Sequence, residues 1–170
     1  MQSDSRALDR EVGKDVIAEI GSTCLLLRTR LISRVIAGIY EEKLQPFGIG
    51  AAQFASLVVI YQLQPATRAE IGRFLHQDRS TLTRNLRVIL SSGWAVELQG
   101  LADGRARPLM LTGAAKDLLR RAEPAWQSAQ AQAKALLGEN GVIAVTEIAN
   151  GIMDAAHPLF DAKPPGARIA

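Results

Sequence analysis

The side chains best equipped for chemistry in this chain cluster between Arg79 and Arg107. Seven of them, Arg79, Ser80, Thr81, Thr83, Arg84, Asn85 and Arg87, fall within nine consecutive residues. A guanidinium makes paired hydrogen bonds to the edge of guanine, a carboxamide does the same for adenine, and hydroxyls bond bases or phosphates. Between Arg79 and Arg107 there are five arginines and no lysine, against two acids, Glu97 and Asp103. Planar, forked cations suit phosphates and base edges better than a diffuse field of ammonium groups does. The plainer alternative is a solvated helix face. It accounts for any one of these residues, but less well for a polar helix followed by a second charged segment.

The flanking sequence supplies elements that would position them. Thr67 with Glu70 three residues later, ahead of Ile71, Phe74 and Leu75, is a capping box opening a short amphipathic helix. Asp78 is an N-cap for a second helix with a buried stripe of Leu82, Leu86, Ile89 and Leu90, leaving the seven polar residues on the exposed side. His76 and Gln77 leave room only for a tight turn between the two. Ala95-Val96-Glu97-Leu98 and Pro108-Leu109-Met110-Leu111 flank Asp103-Gly104-Arg105-Ala106-Arg107 and read as a hairpin with a charged tip. Helix, turn, helix and hairpin make a winged helix-turn-helix, which lays its second helix in the DNA major groove. The expected DNA contacts are Arg79, Ser80, Thr81, Thr83, Arg84 and Arg87 on the helix, with Asp103, Arg105 and Arg107 on the hairpin. At the tip, Asp103 is expected to hold Arg105 extended.

Three stretches together resemble the MarR family of bacterial transcriptional regulators. They are Asp78-Arg79-Ser80-Thr81-Leu82-Thr83-Arg84, Ser92-Gly93-Trp94-Ala95, and Asp103 through Gly113. The resemblance spans about Cys24 to His157, and its most specific part is Asp-x-Arg followed by an alternating strand ending in Leu-Thr. It implies an obligate homodimer, a winged helix-turn-helix on each subunit, and control by a small molecule or an oxidant. One departure is Gly113, where the family more often has its glycine a few residues later.

Composition sets bounds on the rest. The chain has 170 residues, is 48% hydrophobic and 5% aromatic, and carries a net charge of +3. That fits one domain with a dimerisation appendage and a core of Leu, Ile, Val and Ala. The basic balance and the arginine cluster favour an acidic partner. A single cysteine rules out an internal disulfide and a multi-cysteine zinc site. No apolar run approaches the roughly 18 residues of a membrane span, and the polar N-terminus does not resemble a secretory signal. The expected location is the cytoplasm, with no membrane partner.

The expected architecture is mainly α with a small β-hairpin wing. Residues 1–46 carry an N-terminal dimerisation helix, running from about Val16 to Leu44 and apolar on more than one face. Residues 47–112 form the DNA-binding domain, in which the nearly all-apolar helix from Ala51 to Leu63 supports the reading unit. Residues 113–157 carry further dimerisation helices. Thr112 caps a long helix, Pro124 bends it, Gly138 to Gly141 form a loop, and a final helix presents Val145, Ile148, Ile152 and Met153. Residues 158–170 read as a tail. Helices left with unburied apolar faces imply a two-fold dimer, and hence a palindromic operator with recognition helices about 34 Å apart.

Other chemistry is sparse. Cys24 lies close to where the family's hydroperoxide regulators carry a reactive cysteine, with Arg28 one turn away to supply charge. The tyrosines expected around such a thiol do not match in spacing, since Tyr40 and Tyr61 are the only two. A lone cysteine on an apolar stripe reads first as an inert core residue. His76 and His157 lack partners for a metal or a nucleophilic triad, so no enzyme and no cofactor is expected. The resemblance implies an effector pocket, placed near Arg28, Leu31, Phe54, Val58, Tyr61 and Trp126, which would suit an aromatic acid or phenol. These six residues equally suit plain core packing. The leading function is a homodimeric DNA-binding repressor released by a small ligand. The alternatives are a thiol-based sensor using Cys24, or a winged-helix module for protein contacts alone.

Overall fold

The computed structural model describes residues 14–99 and 107–156. In chain order these form α1 (Lys14–Thr23), α2 (Leu25–Leu44), a 3-10 turn (Gln45–Phe47), α3 (Ala51–Leu63), α4 (Arg68–Phe74), α5 (Arg79–Ser91), β1 (Ala95–Glu97), β2 (Leu109–Leu111) and α6 (Gly113–Ala156). The architecture is mainly α with one antiparallel hairpin, as expected. The expected hairpin-tip residues Asp103 and Arg105 and the tail 158–170 lie outside the described residues. The chain divides into two compact units between Gly38 and Ile39.

In the first unit, the single helix expected from Val16 is broken at Cys24 into α1 and α2. Side chains take over the carbonyls at the end of α1. The Thr23 hydroxyl donates to Glu19 O at 2.7 Å, and the Arg28 guanidinium donates to Ser22 O and, at 3.5 Å, to Gly21 O and Cys24 O. Such local bonds compete with the helical ladder and end a turn. Cys24 is therefore half-buried at a helix junction, not sealed in a core. The apolar residues of this unit remain open to solvent: Leu25 is 75% exposed and Leu31 62%.

The second unit holds the core. Leu44, Ile49, Leu57, Ile60, Ile71, Leu86, Ile89, Leu109 and Ala115 are fully buried, with Leu82, Ala95, Leu111 and Leu118 nearly so. Each buried Leu or Ile contributes about 1.5–3 kcal/mol relative to exposure. The central support is α3, which packs against α4, α5 and β2. Its start is fixed by a residue that local patterning does not reveal: Glu41 of α2 accepts a hydrogen bond from the Ala51 amide at 2.7 Å. A carboxylate there satisfies an orphan donor and complements the helix dipole.

The hairpin pairs Ala95 with Leu111, Val96 with Met110 and Glu97 with Leu109. A further bridge joins Leu109 to Ala66, through hydrogen bonds of 2.7 and 3.0 Å. This third rung ties the hairpin to the entry of α4.

The Thr112 hydroxyl caps α6 as expected, accepting from the Ala115 amide at 3.2 Å. Pro124 sits within helical backbone, and the departure falls instead at Gly138, with φ 66° and ψ 170°. Proline has no amide proton to donate to the ladder, and at Pro124 the ring lies on an exposed face. Gly138 can enter the left-handed region without a Cβ clash, so the expected four-residue loop contracts to one residue. Beyond it Val145, Ile148 and Ile152 are 43%, 65% and 51% exposed, leaving an apolar face uncovered. Among the described residues, no single helix is long and apolar enough to cross a membrane.

Candidate nucleic-acid interface

The polar cluster is built on two helix starts and one helix end, each set by local sequence. At α4, Thr67 and Glu70 complete the capping box. The Glu70 amide donates to the Thr67 hydroxyl at 3.2 Å, while the Thr67 amide and hydroxyl both donate to Glu70 Oε2 at 2.7 Å. These bonds hold the Glu70 carboxyl below its usual value, the Thr67 hydroxyl contributing most.

The turn into α5 passes through His76, whose φ of 48° lies in the left-handed region. A non-glycine residue there is strained. It allows Gln77 N to bond Gly72 O at 3.0 Å and bring the second helix directly against the first.

Asp78 then caps α5 more fully than a single N-cap bond would. Its Oδ1 accepts from the amides of Ser80 and Thr81 at 2.9 Å and from the Ser80 hydroxyl at 2.7 Å. Its Oδ2 accepts from the Thr81 hydroxyl at 2.7 Å. These donors, led by the Ser80 hydroxyl, hold its carboxyl well below the usual carboxylate range. Both hydroxyls are thereby oriented, with only their lone pairs left for another partner.

The other end of α5 closes in a Schellman motif. The Trp94 amide bonds Ile89 O and the Gly93 amide bonds Leu90 O, both at 3.0 Å. Gly93 supplies the required positive φ of 68°.

Between these ends the exposed face carries Arg79, Thr83, Arg84 and Arg87. Among the described residues none of these three arginines makes an ion pair, and only Arg84 has a side-chain hydrogen bond, a 3.4 Å contact to the Thr81 hydroxyl. The result is a short row of exposed guanidiniums on a helix fixed at both termini. Arg107 is exposed at the base of the hairpin, 3.7 Å from Glu97. Glu97 also pairs with Arg68 of α4. Nothing local marks Arg68 for this role, since its partner Glu97 lies 29 residues further along the chain.

Asn85 corrects the expected face. It is only 6% exposed, and its Nδ2 donates to Ser56 Oγ and, at 3.2 Å, to Ala52 O, both on α3. The signal was present in the spacing. Asn85 is three residues after Leu82 and four before Ile89, so it belongs to the buried stripe, and its polarity alone suggested otherwise.

A cleft of about 1000 Å³ opens between α4 and α5. Arg68, Arg73, His76 and Arg79 contribute cationic or donor groups to its lining, and Gly72, Leu82 and Leu86 contribute apolar surface. It shares no residue with the six expected to form an effector pocket. Of those six, Phe54 is half-buried and packs on the core. Leu31, Tyr61 and Trp126 are 62%, 53% and 37% exposed. No group of acids, cysteines and histidines with metal-binding geometry occurs among the described residues.

No family model matches the sequence. A search of solved structures finds the transcriptional regulator MosR of M. tuberculosis, in complex with DNA. It is 32% identical, with a TM-score of 0.66, covering 78% of this chain and 96% of that one. A cysteine-to-serine mutant of E. coli MarR, complexed with operator DNA, has the same fold. It is 22% identical, with a TM-score of 0.66, over 81% of this chain and 95% of that one. Among curated proteins, the uncharacterised HTH-type transcriptional regulator YwoH of Bacillus subtilis is 32% identical over 80 residues. The match spans 47% of this chain and 58% of that protein's length.

Proposed function

Because this chain belongs to the MarR family of winged helix-turn-helix transcriptional regulators, we propose that it is a sequence-specific DNA-binding repressor. It acts as a cytoplasmic homodimer and leaves a palindromic operator when a small ligand binds. The family is one of regulators, not enzymes. The observation that carries the reading is the outer face of α5, where Arg79, Arg84 and Arg87 make no ion pair among the described residues, on a helix capped at both ends. Guanidiniums held on a rigid helix suit base edges and phosphates. Arg107, and by sequence position Asp103 and Arg105, are assigned to the same DNA surface. The structures of MosR with DNA and of MarR with operator DNA support the partner.

The second copy is supported by the apolar residues left open at both ends of the chain. Leu25, Leu31 and Ile148 are more than 60% exposed. Isolated apolar residues on a surface are ordinary, but a series of them along successive helices marks an interface. The proposed effector is an aromatic acid or phenol. Within the second unit, Tyr61 and Trp126 offer exposed rings, and Phe54 and Val58 offer partly buried apolar surface.

The test separates reading from attraction. Replacing Arg84 with Ala should cost about 1–3 kcal/mol on the preferred sequence and relax preference at one base pair per half-site. Equal loss on preferred and random DNA would mean that Arg84 only meets phosphates.

A further inference from the structure

From the buried contact between α5 and α3, we infer that Asn85 and Ser56 form a rotational lock that aims the recognition helix, making Asn85 a positioning residue for sequence discrimination. The inference rests on the proposed DNA-reading role of α5 and deepens it.

The surface of α3 against α5 is otherwise apolar. Leu57 and Ile60 of α3, and Leu82, Leu86 and Ile89 of α5, are all buried. Such an interface is held by area and shape, and area is non-directional, so small rotations of one helix on the other change little. Asn85 interrupts the apolar stripe with a directional group. Its Nδ2 reaches two acceptors one helical turn apart on α3, the carbonyl of Ala52 and the hydroxyl of Ser56. Meeting both at once fixes the rotation of α5 about its axis and its height along α3. A single buried polar residue sets register in helical interfaces by the same logic.

Stability alone does not account for the amide. Asn85 Oδ1 is buried without a hydrogen-bond partner among the described residues. An unpaired buried acceptor destabilises, and a leucine at this place would continue the stripe without that cost. Groups that violate local packing rules are expected where function constrains geometry. Here the constraint has a visible target. Arg84 adjoins Asn85 in sequence, and Arg87 lies two residues beyond, both on the outer face. Recognition groups need to be held within roughly 0.5 Å and 10–20° of the productive geometry by the residues behind them. The two end caps fix where α5 starts and stops. The Asn85 bond fixes which way it faces.

The experiment removes the polar pair as a pair. In the double variant Asn85→Leu with Ser56→Ala, no buried donor or acceptor is left stranded by the loss of its partner, so folding is preserved. Thermal unfolding, affinity for random DNA across salt concentrations, and selection from a randomised DNA pool are compared with the wild-type protein. We expect an unfolding midpoint at or above the wild-type value and an unchanged salt slope for random DNA, since no surface charge is altered. Preference for the selected sequence over random DNA should fall by roughly tenfold or more, the scale of one lost base contact. Should the double variant fail to fold, Ser56→Ala alone, which keeps the bond to Ala52, is expected to lose about threefold, part of that same discrimination. A folded double variant that discriminates within twofold of wild type would overturn the lock while leaving the DNA-reading role intact. A wild-type protein that enriches no sequence from the pool would overturn the DNA-reading role, and the lock with it.

Discussion

Glu97 on β1 stands 3.7 Å from the guanidinium of Arg107 and also pairs with Arg68 at the start of α4. One carboxylate thus holds two cations from different elements, at the junction between the helix-turn-helix and the hairpin. Exposed pairs of this kind stabilise by only about 0–1 kcal/mol, so their effect lies in what they do to the charges. Replacing Glu97 with Gln should release both guanidiniums toward phosphate. Affinity for random DNA should rise and the salt slope steepen by about one. Salt titrations check this, and weaker binding by the variant would mean that Glu97 orients Arg107 for contact instead of restraining it.

The uncovered apolar face beyond Gly138 leads to a prediction about assembly. Ile148 is 65% exposed, so a charge there costs the isolated chain little. In a buried interface an unpaired charge is strongly unfavourable. Ile148→Glu should therefore shift the protein from dimer to monomer in sedimentation velocity, and weaken binding to a two-half-site DNA far more than to one half-site. An unchanged sedimentation coefficient at micromolar concentration would remove this face from the interface.

The cap of α5 links stability to acid. Hydrogen bonds from Ser80, then Thr81, lower the pKa of Asp78, and those from Thr67 lower that of Glu70. A carboxyl with a depressed folded-state pKa adds stability that is fully present above the unfolded value. That stability is lost as pH falls through the folded value. The wild-type unfolding midpoint should then hold from pH 7 to about 5 and drop steeply below pH 4. Asp78→Asn, which keeps an acceptor but cannot titrate, should show a shallower acid limb. Parallel curves for the two proteins would argue against Asp78 as a contributor.

Much of this was legible in sequence because the determinants are local. Thr67 and Glu70, Asp78 and Thr112 each act within five residues, and their chemistry dictates a helix start. The hairpin strands were legible as two short apolar runs flanking a charged turn. What escaped depends on partners distant in sequence or on competition between bonds. Asn85 falls on the buried stripe by spacing, but its polarity argues the other way until Ser56 and Ala52 are brought against it. Glu41 becomes a helix cap only once α2 and α3 fold back. The Ala66–Leu109 bridge joins positions far apart in the chain. The break at Cys24 arises because Thr23 and Arg28 take backbone carbonyls, a choice that an apolar period does not encode. Pro124 and Gly138 show a related limit: the proline lies on an exposed helix face and is tolerated, while the glycine carries the left-handed backbone.

Cys24 tests whether that break has chemical meaning. The thiol is half-buried, and Arg28 is spent on backbone carbonyls at the junction. Cys24→Ser should leave DNA affinity, and its response to peroxide, as in the wild-type protein. Gel-shift titrations with and without peroxide decide this. A wild-type protein that leaves DNA on oxidation while the variant stays bound would establish a thiol sensor.

The most direct test of the central claim is to let the purified protein choose its DNA. A randomised duplex pool is incubated at physiological salt, the retained fraction is amplified, and the cycle is repeated and sequenced. The account predicts enrichment of a two-fold symmetric sequence whose half-sites lie about one helical turn, roughly 10 base pairs, apart. Retained DNA with no enriched sequence, or an enriched sequence without symmetry, would contradict it.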